Sequence, residues 1–134
     1  MPGSFFDTNV LMHVASGVSA KADRAESIIG RGGIISVQVL NEMTHVARRK
    51  MRMSWEETHA FLSLIRGLLP VESITLETHE AGLALAERHG LSVHDAMIAA
   101  SALQAGCDTL LSEDMEDGLV IDGRLRIANP FRTG

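Results

Sequence analysis

The stretch "SFFDTNVLM" (residues 4–12) sets two phenylalanines directly before a carboxylate and follows it with a second apolar run. Paired aromatics bounded by polar residues read as a short buried strand. Asp7 then stands where the chain leaves its core, and a carboxylate at that point needs a reason. Further along the chain, apolar runs of similar length recur at residues 33–36, 71–74, 109–111 and 125–128. Segments of helical period lie between them. Each of the first four runs is expected to lead into a helix, the last of these helices being short.

Helix boundaries are punctuated by residue type. The glycines at 30, 32 and 33 stop a helix over 20–29. Ser36 is placed to cap a helix with a stripe of Val37, Leu40, Thr44 and Ala47. Ser54 and Glu57 form a capping box ahead of Phe61, Leu64, Ile65 and Leu68, with Pro70 beyond. Thr75 caps a segment containing Leu76, Leu83 and Ala86 that ends at Gly90. Ser92 opens another, with Val93, Ala96, Met97, Ala100 and Leu103 toward the core and Gly106 at its end. Alternation of strand and helix predicts an α/β fold with a mostly parallel sheet.

Such sheets bind ligands at the carboxyl ends of their strands. Asp7 follows the first strand and Asp114 follows the fourth, so both fall at one sheet edge. Glu42, beside the apolar stripe of its helix, and Asp95, in the first turn of "SVHDAMIAASALQAG", lie close to the same edge. Two carboxylates about 4 Å apart repel by roughly 4 kcal/mol at an effective dielectric of about 20. Hard divalent cations relieve that repulsion, and they also activate water and polarise phosphoryl groups. Taken singly, each acid has an ordinary explanation. Asp7 is a good helix N-cap, Ser92-x-x-Asp95 is a capping box, Glu42 suits an exposed helix face, and Asp114 and Asp117 suit a solvated loop.

The totals narrow the class. A chain of 134 residues, 46% hydrophobic, with no linker, repeat or low-complexity tract, is expected to form one domain over 1–134. Its apolar runs are too short to span a bilayer, and no secretory start is legible. A single cysteine, Cys107, excludes an internal disulfide framework and suggests a reducing, cytoplasmic setting. The net charge of −5 argues against a protein that merely coats nucleic acid. It leaves room for a nuclease with its carboxylates gathered around metal.

Four blocks in this order resemble the PIN-domain ribonucleases, of the VapC-like toxin type. They are "FFDTNVLM", "ISVQVLNEMTHVARRK", "LSVHDAMIAASALQAGCDTLLSED" and "GLVIDGRLRIANP", spread over residues 5–130, so that the likeness extends along nearly the whole length. The resemblance implies a three-layer α/β/α sandwich with a central sheet of four or five strands. It implies an endoribonuclease dependent on Mg²⁺ or Mn²⁺, in which water attacks phosphorus and leaves a 5′-phosphate and a 3′-hydroxyl. The family's acids map to Asp7, Glu42, Asp95 and Asp114, with Asp117 at a further, less regular position. Ser112 matches the small polar residue ahead of the fourth acid, and Asn9 a polar residue that orients the first. Gly118 departs from the pattern, because many relatives carry an aromatic residue there. The resemblance further implies a homodimer, an RNA substrate and a VapB-like antitoxin partner whose tail fills the acidic groove.

Other signals have competing explanations. Arg48, Arg49, Lys50 and Arg52 in "ARRKMR" either complement a helix dipole or clamp RNA phosphates. None of the six histidines has zinc-ligand spacing. Trp55 suits a packing anchor better than a base-stacking platform, and Cys107 has no histidine partner to activate it. A haloacid-dehalogenase-like phosphatase would need an aspartate where Asn9 stands. The remaining alternative is a catalytically inactive PIN-like module that binds RNA or protein.

Overall fold

The computed structural model describes residues 3–17 and 19–132. Its elements run β1 (Ser4–Phe6), α1 (Thr8–Ser16), α2 (Ser19–Gly30), β2 (Ile35–Ser36), α3 (Val37–Arg49), α4 (Trp55–Leu68), β3 (Val71–Glu72), α5 (Leu76–His89), α6 (Val93–Gln104), β4 (Thr109–Leu111), β5 (Val120–Ile121) and β6 (Leu125–Ala128). One sheet has the order β1-β4-β6-β5, with β1, β4 and β6 parallel and β5 antiparallel to β6. A parallel pair, β2-β3, adjoins β1 through a bridge between Phe5 and Ile34. The result is the anticipated three-layer α/β/α sandwich on a mostly parallel sheet.

Strands covered on both faces read as continuous apolar runs rather than alternating ones. Phe5 and Phe6 point to opposite faces and both are fully buried, as are Leu110, Ile121, Leu125 and Ile127. Helix α6 is buried through seven successive residues, Ala96 to Ala102, because it packs against both the sheet and α5 and its small side chains allow the close approach.

The structure departs from the expected elements in four places. Helix α1 was not separately legible, since Thr8, Asn9 and Val10 are weak helix formers; burial of Val10, Leu11 and Met12 overrides their propensity. No helix follows β4. Ser112 Oγ accepts the backbone N–H groups of Asp114 and Met115 there, which holds a turn instead. Strand β5, a hairpin partner of β6, was not among the expected strands; the central sheet that it completes has four strands, within the expected four or five. The buried faces also shift. Helix α3 buries Val39, Met43 and Ala47, with Val37 exposed, and Leu64, Leu68, Leu76, Leu83 and Val93 are exposed as well.

Two glycines are fixed by close approach. A Cβ on Gly33 would fall 2.2 Å from the Phe6 ring and 2.9 Å from the Ser4 carbonyl oxygen. One on Gly82 of α5 would meet the thioether of Met97 at 2.4 Å. Backbone and a buried ring cannot yield, whereas a methionine side chain adapts. Gly33→Ala is expected to destabilise by about 1–3 kcal/mol. Gly82→Ala should be close to neutral, because a helix propensity gain of about 1 kcal/mol offsets the repacking. Urea denaturation of the two variants checks this, and equal losses would contradict it.

Candidate active site

Asp7 is the N-cap of α1, at the carboxyl end of β1. The ordinary structural explanation of this residue, a helix cap, therefore holds. Its Oδ1 accepts the Thr8 N–H at 2.7 Å and its Oδ2 accepts the Ser112 hydroxyl at 2.8 Å. The side chain is 95% removed from solvent, at 5% exposure. Burial pushes the Asp7 pKa up, more than those two hydrogen bonds and the charges of Asp95 and Asp114 alter it.

Three other acids share its cleft, which has a volume of about 500 Å³. Glu42 projects from α3, and its Oε1 accepts the Thr8 hydroxyl at 2.8 Å. Burial raises its pKa, against the opposing influence of Thr8 and His94. Glu42 Oε2 lies against His94 Nε2, yet no donor reaches that buried oxygen in hydrogen-bonding geometry. Asp95 sits in the first turn of α6, where Ser92 Oγ accepts its N–H at 3.1 Å. Unlike the boxes at Ser54 and Thr75, the return bond from the acid to the cap is not made. The Asp95 carboxylate is thus left to the cleft. Asp114 reaches the cleft from the turn after β4.

Asn9 is positioned differently from the expectation. It donates to Asp114, the fourth acid, not to Asp7, whose orientation comes from Thr8 and Ser112. Asp117 does not line the cleft. Its oxygens accept the Asn129 N–H at 2.8 Å and the Arg132 guanidinium at 3.3 Å, tying the turn to the segment after β6. Gly118, the departure from the family pattern, has φ +90 and donates its N–H to the Ile127 carbonyl, a backbone state that an aromatic residue resists. Of the basic segment, Arg48 is structurally engaged. It donates to the Met53 carbonyl at 2.7 Å and stacks 4.2 Å from the Trp55 ring centroid. Arg49, Lys50 and Arg52 are exposed. Cys107 is buried, and burial followed by the charges of Asp108 and Glu72 pushes its thiol up to about 11, so it is no nucleophile.

The sequence profile of the PIN domain matches residues 4–116. The chain belongs to the PIN-domain family. No curated protein sequence matches it. This PIN domain superposes on solved toxin and toxin–antitoxin structures. One is a toxin–antitoxin complex from Klebsiella pneumoniae, with TM-score 0.72, 22% identity, and coverage of 97% of this chain and 99% of that one. Another is VapC20 of Mycobacterium tuberculosis, described as a sarcin-ricin loop cleaving toxin, with TM-score 0.67, 21% identity and coverage of 83% and 91%. DNA-bound VapBC from Salmonella typhimurium aligns with TM-score 0.68, 18% identity and coverage of 97% and 99%. These likenesses establish the fold.

Further cleft residues escaped the sequence reading. Gln38, Asn41 and His45 line it beside Glu42. Their spacing of three and four residues marks one polar face of α3, and that periodicity was the available signal. Gln38 donates to the His94 carbonyl at 3.1 Å and so holds α3 to the start of α6. Among the described residues, no three His, Cys, Asp or Glu side chains converge closely enough to hold an ion as they stand. The donor set nevertheless fits a hard cation. It is oxygen-rich, and two of its acids are held above their usual pKa by burial. Water ligands would complete such a shell.

Because its folded pKa is raised, ionised Asp7 opposes folding at neutral pH, and that penalty fades as pH falls through the raised pKa. Asn is an equally good N-cap. In chelator at pH 7, Asp7→Asn is therefore expected to melt above the wild type, at roughly 4 °C for each kcal/mol relieved. The difference should shrink on acidification, and Mg²⁺ should raise the melting point of the wild type alone. A variant that melts lower and still responds to Mg²⁺ would refute this.

Proposed function

We propose that this chain is a Mg²⁺- or Mn²⁺-dependent endoribonuclease, the toxin of a VapBC-type toxin–antitoxin pair. The observation that carries the reading is the meeting of Asp7, Glu42, Asp95 and Asp114 in one cleft, from four separate segments. Membership of the PIN family and the fold shared with toxin–antitoxin complexes support the assignment. No helix among the described residues is long and apolar enough to cross a membrane. A cytoplasmic, homodimeric toxin held by a VapB-like antitoxin is part of the same proposal, as is one PIN-like domain over residues 1–134.

In this mechanism Asp7, Asp95 and Asp114 hold the cation directly or through water, and Glu42 completes the shell or orients water. The ion, when bound, supplies Lewis-acid polarisation of the phosphoryl oxygen and lowers the pKa of water. The chain's own contribution is to fix the acids before substrate arrives. Ser112 and the Thr8 N–H hold Asp7, the Thr8 hydroxyl holds Glu42, and Asn9 holds Asp114. Arg49, Lys50 and Arg52 lie just beyond the α3 face that lines the cleft and supply cations for RNA phosphates.

The competing reading is a PIN-like module that binds RNA or protein without cleaving it. The contact of His94 with Glu42 favours it, since that contact occupies one acid. Cleavage decides between them. A labelled RNA incubated with Mg²⁺ should yield 5′-phosphate and 3′-hydroxyl ends, and Asp95→Asn should abolish the reaction with an unchanged circular dichroism spectrum. Asn9→Ala should lower activity by about 10–100-fold, as loss of a hydrogen bond that orients a metal ligand does. Metal-independent cleavage, or full activity in Asp95→Asn, would overturn the proposal.

A further inference from the structure

A second cavity of about 480 Å³ opens on the α2 side of the sheet and shares no lining residue with the acid cleft. Its charged lining is Arg24, Arg31 and Arg132, and no carboxylate lines it. In a chain of net charge −5, three cations around one cavity with no acid among its walls run against the average. The three guanidinium groups are only partly committed. Arg24 donates through Nε to the Pro130 carbonyl at 3.0 Å, which anchors the side chain and leaves its terminal nitrogens without a described partner. Arg132 makes one long contact to Asp117 at 3.3 Å. Arg31 has no hydrogen-bond or ion-pair partner for its side chain among the described residues, and it is exposed.

A row of side chains runs from the cavity toward the turn that bears Asp114. Lys21, Arg24, Ile28 and Arg31 recur at helical spacing along α2 and the residue after it, a run of about 15 Å. At its near end, Lys21 bonds Glu113 and lies 5.4 Å from the Phe131 ring centroid. Glu113 directly precedes Asp114 of the cleft. The turn that carries Asp114 also carries Asp117, which holds Asn129 and Arg132 in the cavity wall.

We propose that this cavity is a second substrate site, in which Arg24, Arg31 and Arg132 bind phosphodiester groups of the RNA strand beyond the bond that is cut. The inference rests on the nuclease reading of the acid cleft. Guanidinium forks match phosphate oxygens in pairs, and each phosphate neutralised releases counterions. An acidic segment of a protein partner offers carboxylates to the same arginines. RNA is favoured because the row ends at Lys21, which is bonded to Glu113 in the turn that also bears Asp114, so a strand lying along it leads toward the cleft.

The test is binding of a fluorescein-labelled single-stranded RNA to the full chain in chelator, followed by anisotropy across a series of KCl concentrations. Arg31→Ala and Arg31→Glu are the informative variants, because Arg31 supports no described contact in the fold. Arg31→Ala should weaken binding severalfold and flatten the slope of log K against log salt by about 0.7 for one lost phosphate contact. Arg31→Glu should weaken it further. Unchanged affinity and slope in both variants would overturn the proposal. So would an acidic peptide of equal charge that binds as tightly as RNA with the same dependence on Arg31, since the site would then favour protein. Cleavage in Mg²⁺ is scored separately. Wild-type cleavage without any Arg31 dependence of binding rejects this site alone, whereas Arg31-dependent binding without wild-type cleavage supports the site and rejects the nuclease reading.

Discussion

The fully buried hydroxyl of Ser112 holds the site together. It donates to Asp7 at the end of β1 and accepts the N–H groups of Asp114 and Met115 in the turn after β4. One oxygen thus fixes the position of the first acid and the path of the segment that bears the fourth. A hydrogen bond to a charged group contributes about 1.5–3 kcal/mol, and more is lost when its removal strands a buried partner. The bond exists only because β1 and β4 are adjacent and parallel, so that Phe6 lies opposite Leu111 and the next residues of both strands meet.

The same contact carries an electrostatic tension. Asp7 is a helix cap, and a cap stabilises the fold. It is also a carboxylate out of water, with Asp95 and Asp114 adding negative charge nearby, and that opposes the fold. Glu42 repeats the conflict, with one oxygen satisfied by Thr8 and the other buried against His94. A sequence selected for stability alone would have placed neutral groups at both positions. Local rules broken in a cleft, while the core around it obeys them, accord with the metal site proposed for these acids.

Much of the fold was readable locally. Ser36, Ser54, Thr75 and Ser92 all cap the helices they announce, because a capping hydroxyl acts on N–H groups within three residues of itself. Strands β1 and β4 fall where their apolar runs predicted. The buried faces were less legible. Leu64, Leu68 and Leu83 fit a helical stripe yet face outward, since periodicity states that a helix has an apolar side but not which neighbours cover it. Helix α1 was hidden for a related reason: its stability comes from burial rather than from its own residues.

By itself, then, the sequence determined the order of strands and helices, their caps, and the location of acids just beyond strand ends and in first helical turns. Those are short-range properties, set by backbone geometry within a few residues. Tertiary structure alone decided that β4 lies beside β1, across a separation of 105 residues between Ser112 and Asp7. It also assigned Asn9 to Asp114, directed Asp117 to Asn129 and Arg132, and gathered three arginines around a cavity away from the acids. Partnerships of that kind follow from how distant surfaces pack, which no local pattern of residues encodes.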